Sequence, residues 1–186
     1  MVNHTVESAN RFLKEIEALI TETEGMRVLR SKPAKSSNPF PTSEDLEHAL
    51  VPMLSKRGFL HHERLEHPRN PNLGFEYDFW RERDGIAMEI MGYRADDEIY
   101  KNLLKFHVHA ATTIGVVWVP QYKWISGRKT ETNFKATIKA VSFADMYMNV
   151  NALFVIPYDW ETLAGQKSWK LRHVKKIETK YPLRPT

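Results

Sequence analysis

Apolar residues recur along this chain first with helical and then with strand periodicity. From Val6 to Ile20, the positions Val6, Phe12, Leu13, Ile16, Leu19 and Ile20 share one helical stripe, with Lys14, Glu15 and Glu17 opposite. This predicts an amphipathic helix within residues 1–25, closed by Gly25. Residues 26–42 break the pattern. Pro33, Pro39 and Pro41 are interspersed with serines and with Arg27, Arg30, Lys32 and Lys35, the composition of a basic surface loop. A second helix is expected from Ser43, with Glu44 and Asp45 in the first turn, where the helix dipole favours acids. Leu46, Ala49, Leu50, Met53 and Leu54 form its inward stripe, Gly58 ends it, and Pro52 predicts a kink inside it.

After Gly58 the period shortens. Phe59–Leu65, Phe75–Trp80 and Ile86–Met91 read as strands, separated by the turn-rich stretch His67–Gly74 and the charged turn Arg81–Gly85. Asp96 or Asp97 is placed to cap a third helix reaching about Ala111, with Ile99, Leu103, Phe106 and Ala110 facing inward. Ile114–Val119 and Ala152–Ile156 are wholly apolar, as in strands buried on both faces of a sheet. Gln121–Lys135 reads as a long polar connection and Thr137–Met148 as a further helix. Helix, three-strand meander, helix, strand, helix, strand is the order of an α/β fold, a sandwich of helices around a central mixed sheet, in a single domain.

Composition narrows the chemistry. The 186 residues are 42% hydrophobic and 27% charged, which is globular rather than disordered usage. The absence of cysteine excludes a disulfide framework, a thiolate zinc site, an iron–sulfur cluster and a cysteine nucleophile. Apolar runs are too short to cross a bilayer and no signal-peptide pattern is present, so a cytoplasmic address is expected. The net charge of +4 permits a polyanionic partner. Basic residues gather in Arg27–Lys35, Lys123–Lys139 and Lys167–Lys180, whereas acids gather in Glu44–Glu47 and Glu76–Glu98. A cationic body with a local acidic focus suits phosphodiester chemistry, the cations meeting the backbone and the carboxylates a metal ion. It also describes ordinary surface charge.

The acids of the meander sharpen the choice. Period-two alternation puts Phe75, Tyr77, Phe79, Ile86, Met88 and Ile90 on one face and Glu76, Asp78 and Glu89 on the other. A turn centred between Arg83 and Asp84 sets Asp78 directly opposite Glu89, whereas a two-residue Asp84-Gly85 turn makes them diagonal neighbours. Facing like charges repel, so a divalent cation, a cationic side chain or a raised pKa is required. The structural alternative is a clamp by Arg81 or Arg94. All-oxygen donors favour magnesium, manganese or calcium over zinc. On the second helix, Glu47 falls on the inward flank between Leu54 and Val51, where it either has a partner or lies along the edge of the stripe. His61, His62 and His67 lack the spacing of a zinc-protease motif and read as surface or core histidines, and His107 and His109 as packing residues.

Asp78-Phe79, the short charged turn and Ile86-Ala87-Met88-Glu89-Ile90-Met91-Gly92 together resemble the catalytic hairpin of the PD-(D/E)XK nuclease superfamily, nearest to type II restriction endonucleases of the BglII kind. Glu47, followed by an apolar helix and Gly58-Phe59, is similar to the superfamily's helix-borne glutamate. The likeness is tight over Phe75–Gly92, moderate over Glu47–Pro120 and absent at both ends. The resemblance implies a restriction-endonuclease-like fold and a magnesium-dependent DNA endonuclease. Asp78, Glu89 and the Ile90 carbonyl would hold Mg2+, with Glu47 joining through water or a second ion. Where the superfamily carries a lysine this chain has Met91, which cannot activate water. The role would pass to Lys105, or to Lys101 or Arg94, or go unfilled; a binding-only nuclease fold is a further alternative.

One such site cuts one strand. No helix-turn-helix, zinc finger or ribbon signature is visible for reading a DNA sequence. The resemblance extends to the small cleavage subunits of heterodimeric type IIS restriction enzymes, in which a larger nicking subunit supplies recognition. On that reading the N-terminal helix either docks on the larger subunit or packs on its own core. A homodimer reading a palindrome, a non-catalytic nucleic-acid-binding module and a junction or repair nuclease are the alternatives. Lys123, Arg128, Lys129, Asn133 and Lys135, interleaved with Tyr122 and Trp124, are candidate phosphate contacts on duplex DNA.

Overall fold

The computed structural model describes residues 11, 12, 14, 15, 18, 43–67, 70–92, 97–125, 128–144, 147–158 and 175–178. The basic loop expected over 26–42, Arg94, and most of both the N-terminal helix and the basic C-terminal stretch lie outside these residues. In chain order the elements are α1 (Ser43–Ser55), β1 (Leu60–His67), β2 (Asn70–Arg81), β3 (Ile86–Ile90), α2 (Glu98–Val108), β4 (Ile114–Pro120), β5 (Lys123–Ile125), β6 (Arg128–Thr130), α3 (Thr132–Ala144), β7 (Ala152–Tyr158) and β8 (Lys175–Glu178).

A six-stranded sheet of order β1-β2-β3-β4-β7-β8 forms the centre. Its middle strands β3, β4 and β7 run parallel, and β1, β2 and β8 pair antiparallel at the flanks. Every residue of β3, β4 and β7 is buried, as expected for parallel strands covered on both faces. Leu46, Ala49, Leu50, Met53 and Leu54 of α1 cover one face, against Phe79, Met88, Ile90, Trp118 and Phe154. Ile99, Leu103 and Phe106 of α2, with Ala140 and Val141 of α3, cover the other, against Tyr77, Ala87, Val117 and Val155. The chain is therefore α/β with a mixed sheet between helices. Each large apolar side chain withdrawn from water here contributes about 1.5–3 kcal/mol.

α1 runs uninterrupted through Pro52. It stops at Gly58, whose φ of 81° is left-handed. Phe59 N–H donates to the Leu54 carbonyl at 3.1 Å and Gly58 N–H to the Ser55 carbonyl at 3.0 Å, the paired bonds of a Schellman cap. α2 begins after Asp97, whose side chain makes no capping bond and instead lies 3.9 Å from Lys101 Nζ. It ends at Val108, so Ala110 is exposed rather than inward-facing.

Other boundaries moved for tertiary reasons. β2 reaches back to Asn70 and pairs with β1 up to His67↔Asn70, so cross-strand bonding overrides the turn-forming character of Asn70, Pro71, Asn72 and Gly74. The polar connection contains the two-stranded β5–β6 hairpin, and α3 begins at Thr132 rather than Thr137. β8 lies within the basic C-terminal stretch; a charged strand is tolerated at a sheet edge. Among the described N-terminal residues, Phe12 is buried with its ring 5.4 Å from that of Phe154. That part of the helix packs on its own core.

Gly115 shows how closely α2 sits on the sheet. A Cβ there would stand 2.6 Å from Phe106 Cδ2 and 2.7 Å from Leu153 Cδ2. Gly115→Ala is expected to lower stability by about 1–3 kcal/mol through overpacking, read as an earlier midpoint in urea unfolding with an unchanged slope.

Candidate active site

β2 and β3 pair only at Phe79↔Met88, Trp80↔Ala87 and Arg81↔Ile86. Continued one step, this register sets Asp78 opposite Glu89, the arrangement given by a turn centred between Arg83 and Asp84. Beyond Met88 the strands diverge, β2 staying with β1 and β3 with β4. Asp78 and Glu89 stand at the mouth of this fork. The Ile90 N–H donates to Asp78 Oδ2 at 2.6 Å, so a side chain takes the place of a ladder partner.

The simple alternation expected for β2 does not hold. Phe79 faces α1 together with Ile86, Met88 and Ile90, whereas Tyr77 and Phe75 face α2. The phase slips between Tyr77 and Phe79, opposite His62, whose φ of 54° twists β1 at the same level. In consequence Glu76 and Glu89 do not share a face. Glu76 Oε1 accepts from His62 Nδ1 at 2.6 Å, and Glu89 meets Lys105 of α2.

Lys105 Nζ donates to Glu89 Oε1 at 2.7 Å and to the Glu76 carbonyl at 2.8 Å. Its own backbone carbonyl accepts from the Tyr77 hydroxyl at 3.1 Å. β2 thus holds this residue by main chain and ammonium together. Lys101 points elsewhere, being largely exposed beside Asp97. Met91 is 2% exposed and belongs to the apolar cluster under α2, so its position serves packing while Lys105 reaches the acids from the neighbouring helix.

Glu47, on the flank of α1, is half-buried and held from β1. His61 Nε2 donates to its Oε1 at 2.7 Å, and His62 Nε2 lies 2.8 Å from the same oxygen. These histidines, expected as surface or core residues, converge on an expected site acid. The signal available in the sequence was positional: the meander sets the His61-His62 pair beside the Asp78 level. Glu98 was also missed. Its Oε2 is buried without a hydrogen-bond partner, and its charge acts on Glu89.

Burial pushes the Asp78 carboxyl up to about 6; Glu47 adds to the rise, while the Ile90 N–H, Lys105 and His62 oppose it. Burial likewise pushes Glu89 up to about 8, with Asp78 and Glu98 adding and Lys105 opposing. Two carboxyls held up chiefly by burial, both offering oxygen, suit a hard dication such as magnesium, whose charge would favour their ionised forms. Arg81 does not clamp them. Its buried guanidinium pairs with Glu15 and with Asp84, at 2.8 and 2.9 Å to the latter's two oxygens, and stacks 4.5 Å from the Phe59 ring. The surface cleft lined by Arg11, Glu15, Arg81, Asp84 and Asn151 is at the other end of β3, where Arg81 pairs with Glu15 and Asp84.

Of the candidate phosphate contacts, Lys123, Arg128 and Lys129 lie on the β5–β6 hairpin. Lys135 is exposed with its Nζ 3.4 Å from Glu131. Asn133 is only 3% exposed and is withdrawn from that set. His109 packs against Trp80 at 4.9 Å, with burial lowering its pKa, in keeping with a packing role. Comparison with family models, curated proteins and solved structures finds no match to this chain.

The raised carboxyls fix a sign for the pH dependence. Unfolded carboxylates release protons near about pH 4, so the folded protein binds more protons between there and its own raised values. Stability of the metal-free protein is expected to fall as pH rises from about 5 to about 9, and Glu89→Gln to flatten that fall. Urea midpoints in chelator across this range provide the check; a wild-type midpoint that climbs with pH contradicts the account.

Proposed function

We propose that this chain is a magnesium-dependent endonuclease that hydrolyses one strand of duplex DNA, acting as the small cleavage subunit of a heterodimeric type IIS restriction enzyme on a restriction-endonuclease-like fold. The observation that carries the reading is the fork itself: Asp78 and Glu89 at its mouth, with the Lys105 ammonium on Glu89 at 2.7 Å. The lysine that Met91 lacks has a substitute on α2. The hairpin resemblance supports the same reading.

Asp78, Glu89 and the Ile90 carbonyl would hold magnesium, with Glu47 joining through water or a second ion, and the ion would polarise the scissile phosphate and acidify water. In the reaction a water oxygen bonds to phosphorus in line with the leaving 3′ oxygen. The phosphorus–oxygen bond on that side then breaks, and a proton ends on the 3′ oxygen. Lys105 offers a fixed cation for the charge that grows on the phosphoryl oxygens, and Tyr77 and the Glu76 carbonyl keep it in place. A partner surface is supported by α2, which exposes Tyr100, Leu104 and Val108 at one-turn spacing on its outer side.

A second reading, a DNA-binding module without catalysis, is favoured by one observation. Lys105 and the Ile90 N–H already engage one oxygen of each of the two acids. Calorimetric titration of magnesium or manganese into wild type and Glu89→Ala separates the two readings: uptake lost in the variant supports the enzyme, identical traces the module. With a larger recognition subunit and magnesium, plasmid cleavage at a defined site is expected, and the chain alone should give little. Glu89→Ala or Lys105→Ala in that complex should slow first-strand cutting by about 10²–10³-fold. Site-specific duplex cutting by the chain alone would favour the homodimer.

A further inference from the structure

We propose that Glu47, His61 and His62 form a second metal site, one for a borderline transition dication of the zinc class, with Glu76 as its orienting partner. The site stands on these four side chains and does not depend on the hydrolytic reading. Candidate ligand atoms from Glu47, His61 and His62 lie within 4.8 Å of one another. Two imidazoles and one carboxylate match zinc, cobalt and their neighbours, whereas magnesium prefers oxygen donors alone.

The geometry is close to a bound state. Glu47 Oε1 is 2.7 Å from His61 Nε2 and 2.8 Å from His62 Nε2, the contacts of groups sharing protons. A tetrahedral ion with bonds of about 2.1 Å spaces its donors about 3.4 Å apart, so opening each contact by about 0.7 Å lets the ion replace the protons. Rotation of exposed or half-buried side chains supplies such a shift. His62 Nδ1 already donates to Glu76 Oε1 at 2.6 Å. A carboxylate on the distal ring nitrogen is the usual support of a metal-binding histidine, fixing ring orientation and tautomer.

The backbone is bent toward this arrangement. Successive strand residues ordinarily point to opposite faces, which would send His61 and His62 apart. With φ at 54°, His62 instead brings its ring centroid to 4.1 Å from that of His61. No other described non-glycine residue is left-handed. Such a conformation costs about 1–3 kcal/mol and persists where a site requires it. Three protein ligands leave a tetrahedral ion one open position, and His62 is 50% exposed, so an ion can reach the cluster from solvent. The register pairs His61↔Phe79 and Glu63↔Tyr77 bracket His62 and Asp78, which puts the cluster at the level of the fork.

The test uses the full-length chain stripped with chelator, titrated with cobalt(II) and followed by its visible absorption, and with zinc by calorimetry. One ion is expected to bind in wild type and equally in Glu89→Gln. His61→Ala and His62→Gly should weaken binding by about tenfold or more, and Glu76→Gln by about 10–100-fold. His62→Gly removes the ring while relieving the left-handed strain, so its metal-free melt should match or exceed wild type and separate lost binding from lost folding. Unchanged affinity in both histidine variants overturns the proposal. Affinity lost in Glu89→Gln but kept in the histidine variants overturns it too, because the ion then sits at the fork.

Discussion

Everything near the candidate site follows from two carboxyl groups that the sheet forces into the same low-dielectric corner. The ladder between β2 and β3 stops at Phe79↔Met88, one step before Asp78 would face Glu89. Separation of the strands frees the Ile90 N–H, which Asp78 then captures. The fork is thus a cause of the site as well as its location: it makes an opening, lines it with acid and turns a main-chain donor toward one of the acids.

α2 completes the corner from the far side. Its approach is set by apolar contacts, Phe106 lying over Gly115 and Ile99 and Leu103 on the sheet. The cation of Lys105 arrives as a by-product of that packing and is pinned by the Glu76 carbonyl, while the Tyr77 hydroxyl holds the residue's main chain. Buried pairs of this kind contribute modestly to net stability, since desolvation consumes most of the Coulombic gain. The value of this one lies in placing a positive charge beside Glu89.

The layers and central strands were legible in the sequence because they depend on periodicity and burial. Ile114–Pro120 and Ala152–Tyr158 are apolar throughout, and that pattern has few other uses. The nearness of Asp78 and Glu89 was legible too, because both turn placements left open by the sequence set the two acids beside each other. What could not be read was any step at which the backbone leaves its usual basin. The left-handed His62 shifts the alternation of β1 and β2 together, so Tyr77 and Phe79 part company and two neighbouring imidazoles converge on Glu47. β8 escaped because an edge strand needs no apolar face, and Ala110 was misassigned because α2 stops at Val108.

The guanidinium of Arg81 ties distant parts of the chain. It joins Glu15 from the N-terminal segment to Asp84 in the turn that carries the hairpin, and it is almost wholly enclosed. Without Glu15 the enclosed guanidinium would keep Asp84 but lose one of its two carboxylate partners. A protease that removed the chain through Glu15 would therefore do more than shorten it. It would unseat the turn between β2 and β3, and the fork beyond that turn would lose its alignment from some sixty residues away in sequence.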